Sequence, residues 1–413
     1  MKIKIVKLFK NYLNILQRNV DISLTPYAYF CTWRESDFSR YINYRIKGNT
    51  SFFLIIKILL KNCLELFKTS KIISYNIDEN RKLKINKIIL SWCLIKDFNK
   101  DYYFDRYLNL KSTNTKNLWL LISQDKKIPK KIPKNVIILS EKKIINLFNF
   151  ITFFKLNIKY IFFYLNKETQ FAISLNNFIS NFIQTEKIKF KSFLMPYEAQ
   201  PFQNYIFSNI HAKFPLINTE GYVHSGLVPS LFYMEKRKGS PKKIFVHGIS
   251  YKKIMLRLLG WKMNDIKVIK SLRYKPFKKN FYKKKIFLPY ATNELEIIKK
   301  NFSNLARIYD LSNYEIKDHP VSKLKENYNL KNFITNQINN HKIKKKYSEF
   351  PICIGVSQII FEILESGNDV IHIYIDEVND SLNNKIWRGI LSQKINKNTS
   401  IYRLEKKKMY ILT

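Results

Sequence analysis

Apolar and polar positions follow two different patterns along this chain. Over residues 1–85 the apolar positions recur with helical spacing. Val6, Leu8, Phe9, Leu13 and Leu16 form one stripe, and Ser51 to Phe67 offers another. Between them lies TWRESDFSRY, a polar and aromatic segment that carries Trp33, Glu35 and Asp37. From Lys87 short apolar runs take over. Ile88–Trp92, Leu118–Ser123, Val136–Leu139, Ser192–Pro196, Gly221–His224 and Ile244–His247 read as strands. Ile144–Leu165, Phe171–Ile183, Gln200–His211 and Ile254–Trp261 read as helices. Alternation of this kind predicts a parallel sheet covered by helices.

The basic stretch SLRYKPFKKNFYKKK, Ser271 to Lys285, reads as a linker, and the alternation restarts beyond it. Strands are expected at Ile286–Leu288, Arg307–Asp310, Pro351–Val356 and Asp369–Tyr374, with helices at Asn293–Phe302 and Ser357–Glu365. The expected fold is α/β: two Rossmann-like domains, residues 86–275 and 276–413, facing each other across a cleft. A mainly helical N-terminal extension, residues 1–85, precedes them. In such sheets ligands sit at the carboxyl ends of the strands.

Composition changes this picture in few places. The 413 residues suit two domains of ordinary size. Basic residues number 73 against 31 acidic, a net charge of +42, which favours an acidic partner. The lysines are spread through every segment, and no finger spacing, RNA-recognition signature or basic-region heptad occurs, so nucleic acid is not the expected partner. Cys31, Cys63, Cys93 and Cys353 form no CxxC pair and read as reduced thiols, which suits the cytoplasm. The most apolar windows are interrupted by Lys57, Lys155 and Lys159, short of the roughly 20 clean residues a membrane span needs. Basic, aromatic helices remain suited to peripheral contact with the anionic inner face of the plasma membrane. HExxH, GxSxG, Walker A and paired CxxC patterns are all absent, which weakens metalloprotease, α/β-hydrolase, P-loop and structural-zinc readings.

Chemistry concentrates in five places. KDHP, Lys317 to Pro320, puts His319 and Pro320 at a strand end, and IGVSQIIFEILESGNDVI follows. There Gly355 and Ser357 stand where a helix is expected to begin, with Glu362 further along it. Ser357 reads either as a plain N-cap or as part of an anion site for phosphate. His319 reads either as a turn residue or as a donor gripping the same phosphate from an adjacent strand end. In MPYEAQPFQNYIF, an apolar run delivers Glu198, Gln200 and Asn204 into a loop and helix start. Glu198 is the first choice for a general base, with Glu220 or Asp97 behind it, or else a carboxylate that complements the helix dipole. TEGYVHSGLVP places His224 and Ser225 at another strand end. In IKDFNKDYYFDRYL, Asp97 and Asp101 follow the first strand and read as acceptor contacts or surface carboxylates. Arg273, at the start of the linker, is positioned to reach a cleft.

The run YEAQPFQN, then YVHSGLVP, GWKMNDIKVIKSLRY, KDHP and GVSQIIFEILESG resembles bacterial surface-carbohydrate biosynthesis proteins, which are similar to two-domain (GT-B) glycosyltransferases. The resemblance covers about Lys87 to Tyr374. A His-Pro pair with a later Ser is shared with sialyl- and Kdo-transferases and with CDP-glycerol-dependent polymerases. The resemblance implies that His319, Pro320 and Ser357 hold a cytidine nucleotide's ribose and phosphate. It implies a nucleotide-sugar as co-substrate, a glycan or lipid-linked acceptor, and no bound cofactor or metal for chemistry. Two departures stand out. Ser357 is flanked by Val356 and Gln358 rather than by a second hydroxyl residue, and the acidic-acidic-Gly base motif has only a partial echo in Thr219 to Gly221, with Glu220 at its centre. A non-catalytic nucleotide-binding scaffold of a polysaccharide assembly complex is the alternative from another class.

Overall fold

The computed structural model describes residues 68–77, 84–125, 127–145, 167–224, 234–237, 239–272, 279–289, 294–319, 325–339, 346–355, 357–377 and 380–405, together with Lys7. The expected helical stripes before residue 68, with Trp33, Glu35 and Asp37, lie outside the described residues, as does most of Ile144–Leu165.

The first unit carries β1 (Lys68–Tyr75), β2 (Lys87–Cys93), the short ribbon β3 (Phe104–Asp105) and β4 (Leu110–Lys111), β5 (Asn117–Ser123) and β6 (Val136–Ile145). It continues with α1 (Lys167–Thr185), β7 (Ser192–Pro196), α2 (Pro201–Lys213), β8 (Asn218–Tyr222), β9 (Lys243–His247), α3 (Gly248–Leu258) and β10 (Ile266–Ile269). Eight strands form one sheet in the order β1-β6-β5-β2-β7-β8-β9-β10. Counted from β2, the parallel part reads 3-2-1-4-5-6-7, the order of a doubly wound α/β sheet. Its strands are near-continuous apolar runs, as LWLLI in β5, because helices cover the faces and both sides of each strand are buried. Strand order reverses between β2 and β7, which opens a crevice at their carboxyl ends.

The second unit begins at β11 (Lys285–Phe287), followed by α4 (Leu295–Ile308), β12 (Tyr309–Asp310), β13 (Glu315–Lys317), α5 (Lys325–Asn339), β14 (Lys346–Tyr347) and β15 (Ile352–Ile354). Then come α6 (Ile359–Glu365), β16 (Val370–Ile373), β17 (Ile390–Asn396) and β18 (Thr399–Leu404). Its sheet runs β13-β11-β15-β16-β18-β17, with the first four strands parallel. Here the order reverses between β11 and β15. Helix α4 lays Ile298, Phe302, Leu305 and Ala306 on one face and buries them against the sheet. Helix α6 ends in a left-handed Gly367, with the Gly367 and Asn368 N–H groups returning to the Leu364 and Ile363 carbonyls.

The two units meet through apolar side chains. Tyr251 of α3 stands edge-on to Phe361 of α6 and to Trp387, at ring distances of 6.1 and 5.3 Å. Nearby, Arg257 donates to the Lys385 and Ile386 carbonyls at 2.8 and 2.9 Å.

Several expectations need correction. Lys68–Tyr75 was expected to be part of a helical extension, yet it is β1, paired antiparallel with β6 from Lys68↔Ile145 to Tyr75↔Ile138. Its KTSKIISY sequence alternates only weakly, so the sheet edge it completes decides its conformation rather than its own pattern. β6 runs through Ile145, past the expected start of a helix at Ile144. α4 continues to Ile308, and Tyr309–Asp310 pairs with Lys346–Tyr347 outside the main sheet. β10, β17 and β18 were not expected. α3 begins at Gly248, directly after β9, six residues before the helix expected from Ile254.

Candidate functional site

Three connections converge at the carboxyl ends of β2, β7 and β8. After β7 the chain makes a tight turn through Tyr197, Glu198 and Ala199 before α2. Ala199 is buried and holds φ +53°, the left-handed region that a residue with a Cβ adopts only under strain. The surroundings fix this turn from both sides. Gln203 Oε1 accepts the Glu198 and Gln200 N–H groups at 3.0 and 2.9 Å, and its Nε2 donates to the Pro196 carbonyl at 2.6 Å. Pro201 then opens α2, where its missing N–H is not needed.

The turn aims Glu198 at His224, which follows β8. Glu198 Oε1 lies 3.0 Å from His224 Nε2, with side-chain exposures of 17 and 4%. Gln200 Nε2 donates to the other carboxylate oxygen at 2.9 Å. Two rings flank the imidazole: Tyr107 stands edge-on at 4.7 Å and Trp92 is tilted at 6.1 Å, with Phe202 packed behind Trp92 at 5.9 Å. Trp92 is the last residue but one of β2 and Tyr107 follows the β3 strand, so this group occupies the point where strand order reverses.

The remaining first-unit candidates fall elsewhere. Asp97 was expected to touch an acceptor or lie on the surface. Instead it is buried, with Arg106 Nε at 2.9 and 3.0 Å from its two oxygens and its own Leu94 N–H at 2.8 Å. Asn204 is fully enclosed beside Tyr197 Oη, at 2.7 Å, so it braces the turn rather than facing a cleft. Glu220 sits mid-strand toward the amino-terminal edge, paired with Lys87 at 3.0 Å. Ser225 lies outside the described residues.

In the second unit Gly355 and Ser357 follow β15 at the other reversal point. Gly355 holds φ +67°, and a Cβ there would meet Pro289 at the end of β11 at 3.0 Å. Its carbonyl accepts from His372 Nε2 at 2.8 Å, and burial pushes the His372 imidazole down to about 4. Ser357 is not the cap that was expected. α6 starts at Ile359, Gln358 occupies the cap position, and Ser357 Oγ accepts the Ile359 N–H only at 3.4 Å. His319 follows β13, half-buried, and burial lowers its pKa. It does not stand on a strand adjacent to that of Ser357: β11 lies between, so the two connections begin two strand spacings apart, about 10 Å. Glu362, on α6, raises the pKa of the buried Cys353 thiol, a smaller effect than burial itself. Arg273 and Pro320 lie outside the described residues.

Sequence reasoning missed Trp92, Asp105, Arg106 and Tyr107. Asp105 is fully buried, and burial raises its pKa. Its Oδ1 accepts the Tyr107 and Leu108 N–H groups at 2.8 and 2.7 Å, while Oδ2 lies 2.9 Å from Tyr103 Oη. Tyr103 Oη also lies 2.8 Å from the Trp92 carbonyl. The only available signal was the segment DRYL, one residue past the Tyr102–Tyr103 pair, which resembles any exposed turn.

Two cavities open away from both reversal points. One, about 490 Å3, is bordered by Ile85, Phe182 and Lys191; the other, about 600 Å3, by His211, Arg237 and Lys242. Among the described residues no helix is long and apolar enough to cross a membrane. No protein-family model matches the chain, and no curated protein matches it.

Proposed function

We propose that this chain is a glycosyltransferase of the two-domain GT-B kind. It moves a sugar from a nucleotide-activated donor, CMP-linked on the resemblance described above, to a growing surface polysaccharide or lipid-linked glycan. It works in the cytoplasm, with peripheral contact to the inner face of the membrane. The observation that carries this reading is the Glu198–His224 pair at the reversal point of a doubly wound sheet, the position where such sheets bind ligands.

Glu198 is the base in this mechanism because it keeps more exposure than His224. His224 and Gln200 hold its two oxygens, so the carboxylate is oriented before substrate arrives. The acceptor hydroxyl gives its proton to Glu198 as its oxygen bonds the anomeric carbon, and the bond from that carbon to the donor phosphate breaks with its electrons leaving on phosphate. The nucleotide occupies the second reversal point, with His319, Arg273 and the Gly355–Ser357 turn meeting the phosphate charge. Loss of one such donor lowers the rate on the order of 10²-fold.

The test is thermal unfolding with CMP, CDP, UDP and GDP, followed by turnover of a CMP-sugar with a lipid-linked acceptor pool. A cytidine-selective rise in melting temperature that disappears in His319→Ala supports the reading. Absence of a shift with every nucleotide overturns it. The loose Ser357 contact, and the start of α6 two residues beyond it, favour the scaffold as second reading. Nucleotide binding without turnover would select it.

A further inference from the structure

The Asp105 network has no part in the proton transfer just described, yet it encloses a carboxyl group that burial makes unfavourable to ionise. Such a group is retained where its hydrogen bonds fix something, and here two of the bonds lead to aromatic rings while a third holds the Leu108 N–H. Oδ1 holds the backbone N–H of Tyr107, and Oδ2 meets Tyr103 Oη, which reaches the carbonyl of Trp92. One buried residue therefore sets the backbone of both rings that flank His224. Arg106, between Asp105 and Tyr107, is tied to the buried Asp97, and its guanidinium carbon lies 5.7 Å from the centre of the Tyr107 ring. The rings themselves are half-buried rather than enclosed. They stand 5.2 Å apart at 59°, which makes a corner and not a parallel slot.

We propose that Trp92 and Tyr107 form a rigid wall that holds the acceptor as a pyranose ring, with its reacting hydroxyl turned toward Glu198. This rests on the transferase reading for the word acceptor, though not for the binding itself. A pyranose presents a puckered face of C–H bonds, which carry partial positive charge and suit the negative face of an aromatic ring. Its edge presents hydroxyls, which suit Glu198, Gln200 and Arg106. A nucleobase, being flat, prefers two parallel surfaces, and a lipid phosphate needs cations rather than rings. Holding the rings by buried hydrogen bonds leaves little freedom to lose on binding. Trp92 and Tyr107 select and place the acceptor, while proton transfer stays with Glu198.

Saturation-transfer NMR on the full chain tests this directly. The probes are neutral, N-acetylated and acidic methyl glycopyranosides, with glycerol phosphate, dodecyl phosphate and cytidine as non-sugar comparisons. At least one glycoside is expected to show saturation of its ring C–H protons. Trp92→Ala and Tyr107→Ala should weaken it about tenfold, whereas Trp92→Phe and Tyr107→Phe keep most of it. Melting curves with nucleotide, recorded on the same variants, show that they fold and that the second unit still works. The proposal is overturned if no glycoside binds, if cytidine or a lipid phosphate takes this position instead, or if folded Trp92→Ala and Tyr107→Ala bind as the parent does. Nucleotide binding without glycoside binding sinks the wall and spares the transferase. Glycoside binding without any nucleotide effect does the reverse.

Discussion

The two reversal points are furnished in opposite ways. In the first sheet the crevice is bordered by side chains that hold one another: Glu198 on His224, Gln200 on Glu198, and Gln203 across the strained turn. In the second sheet the corresponding position is mostly backbone. Gly355 takes a left-handed conformation against Pro289, Ser357 makes one long contact, and His319 waits beyond β11. Chemistry on a neutral hydroxyl needs a base already aimed, so order before binding is useful there. A phosphate brings its own charge and needs no base aimed beforehand.

The sharpest test of that contrast is kinetic. On the proposed transferase reading, Glu198→Gln keeps the shape of the turn and removes the base, so turnover should fall about 10³-fold with the acceptor KM little changed. His319→Ala should act mainly on nucleotide affinity. If both substitutions change the same parameter, the division of labour is wrong.

Acid stability comes next in size. His372 is buried and neutral behind Gly355, with a folded pKa of about 4 against an ordinary 6.5. The unfolded chain therefore takes up the proton first, and stability falls as pH drops from about 6.5 to about 4. The loss is about 3 kcal/mol. Denaturant titrations across that window should show a shallower slope in His372→Gln. An unchanged slope would mean that the imidazole is not held neutral.

Glycine substitutions should separate the units by cause. Gly221→Ala in β8 drives a Cβ to within 2.8 Å of Pro241 and 3.0 Å of Tyr197, a clash expected to destabilise by about 2 kcal/mol. Gly367→Ala has open space around it and only φ +81° to contend with, so about 1 kcal/mol is expected. Urea midpoints measure both, and a larger loss at Gly367 would reverse the ranking.

Most central strands were legible because a covered parallel sheet demands uninterrupted apolar runs, and ILSW, LWLLIS and VIIL are such runs. The edges were not. β1, β10 and β17 are mixed segments, β1 paired with β6 far along the chain and β17 with β18 as a hairpin. The site was legible in part for a related reason. Glu198 stood out because it follows an apolar run and His224 because it stands at an expected strand end, which in this fold puts both at the same end of the sheet. Ala199 gave no warning: a left-handed alanine has no signature, since what enforces it is Gln203 gripping the turn from the next helix. Ser357 misled because a serine ahead of an apolar helix looks like a cap, and the one intervening residue, Gln358, is invisible to spacing.

One consequence follows from the joint at Tyr251, Phe361 and Trp387. Interlocked rings do not slide smoothly; they stay seated or reseat in another fit. Any approach of one lobe to the other should therefore proceed by jumps between a few settings, with Arg257 as the ratchet pawl that either keeps its two carbonyl notches or drops them together.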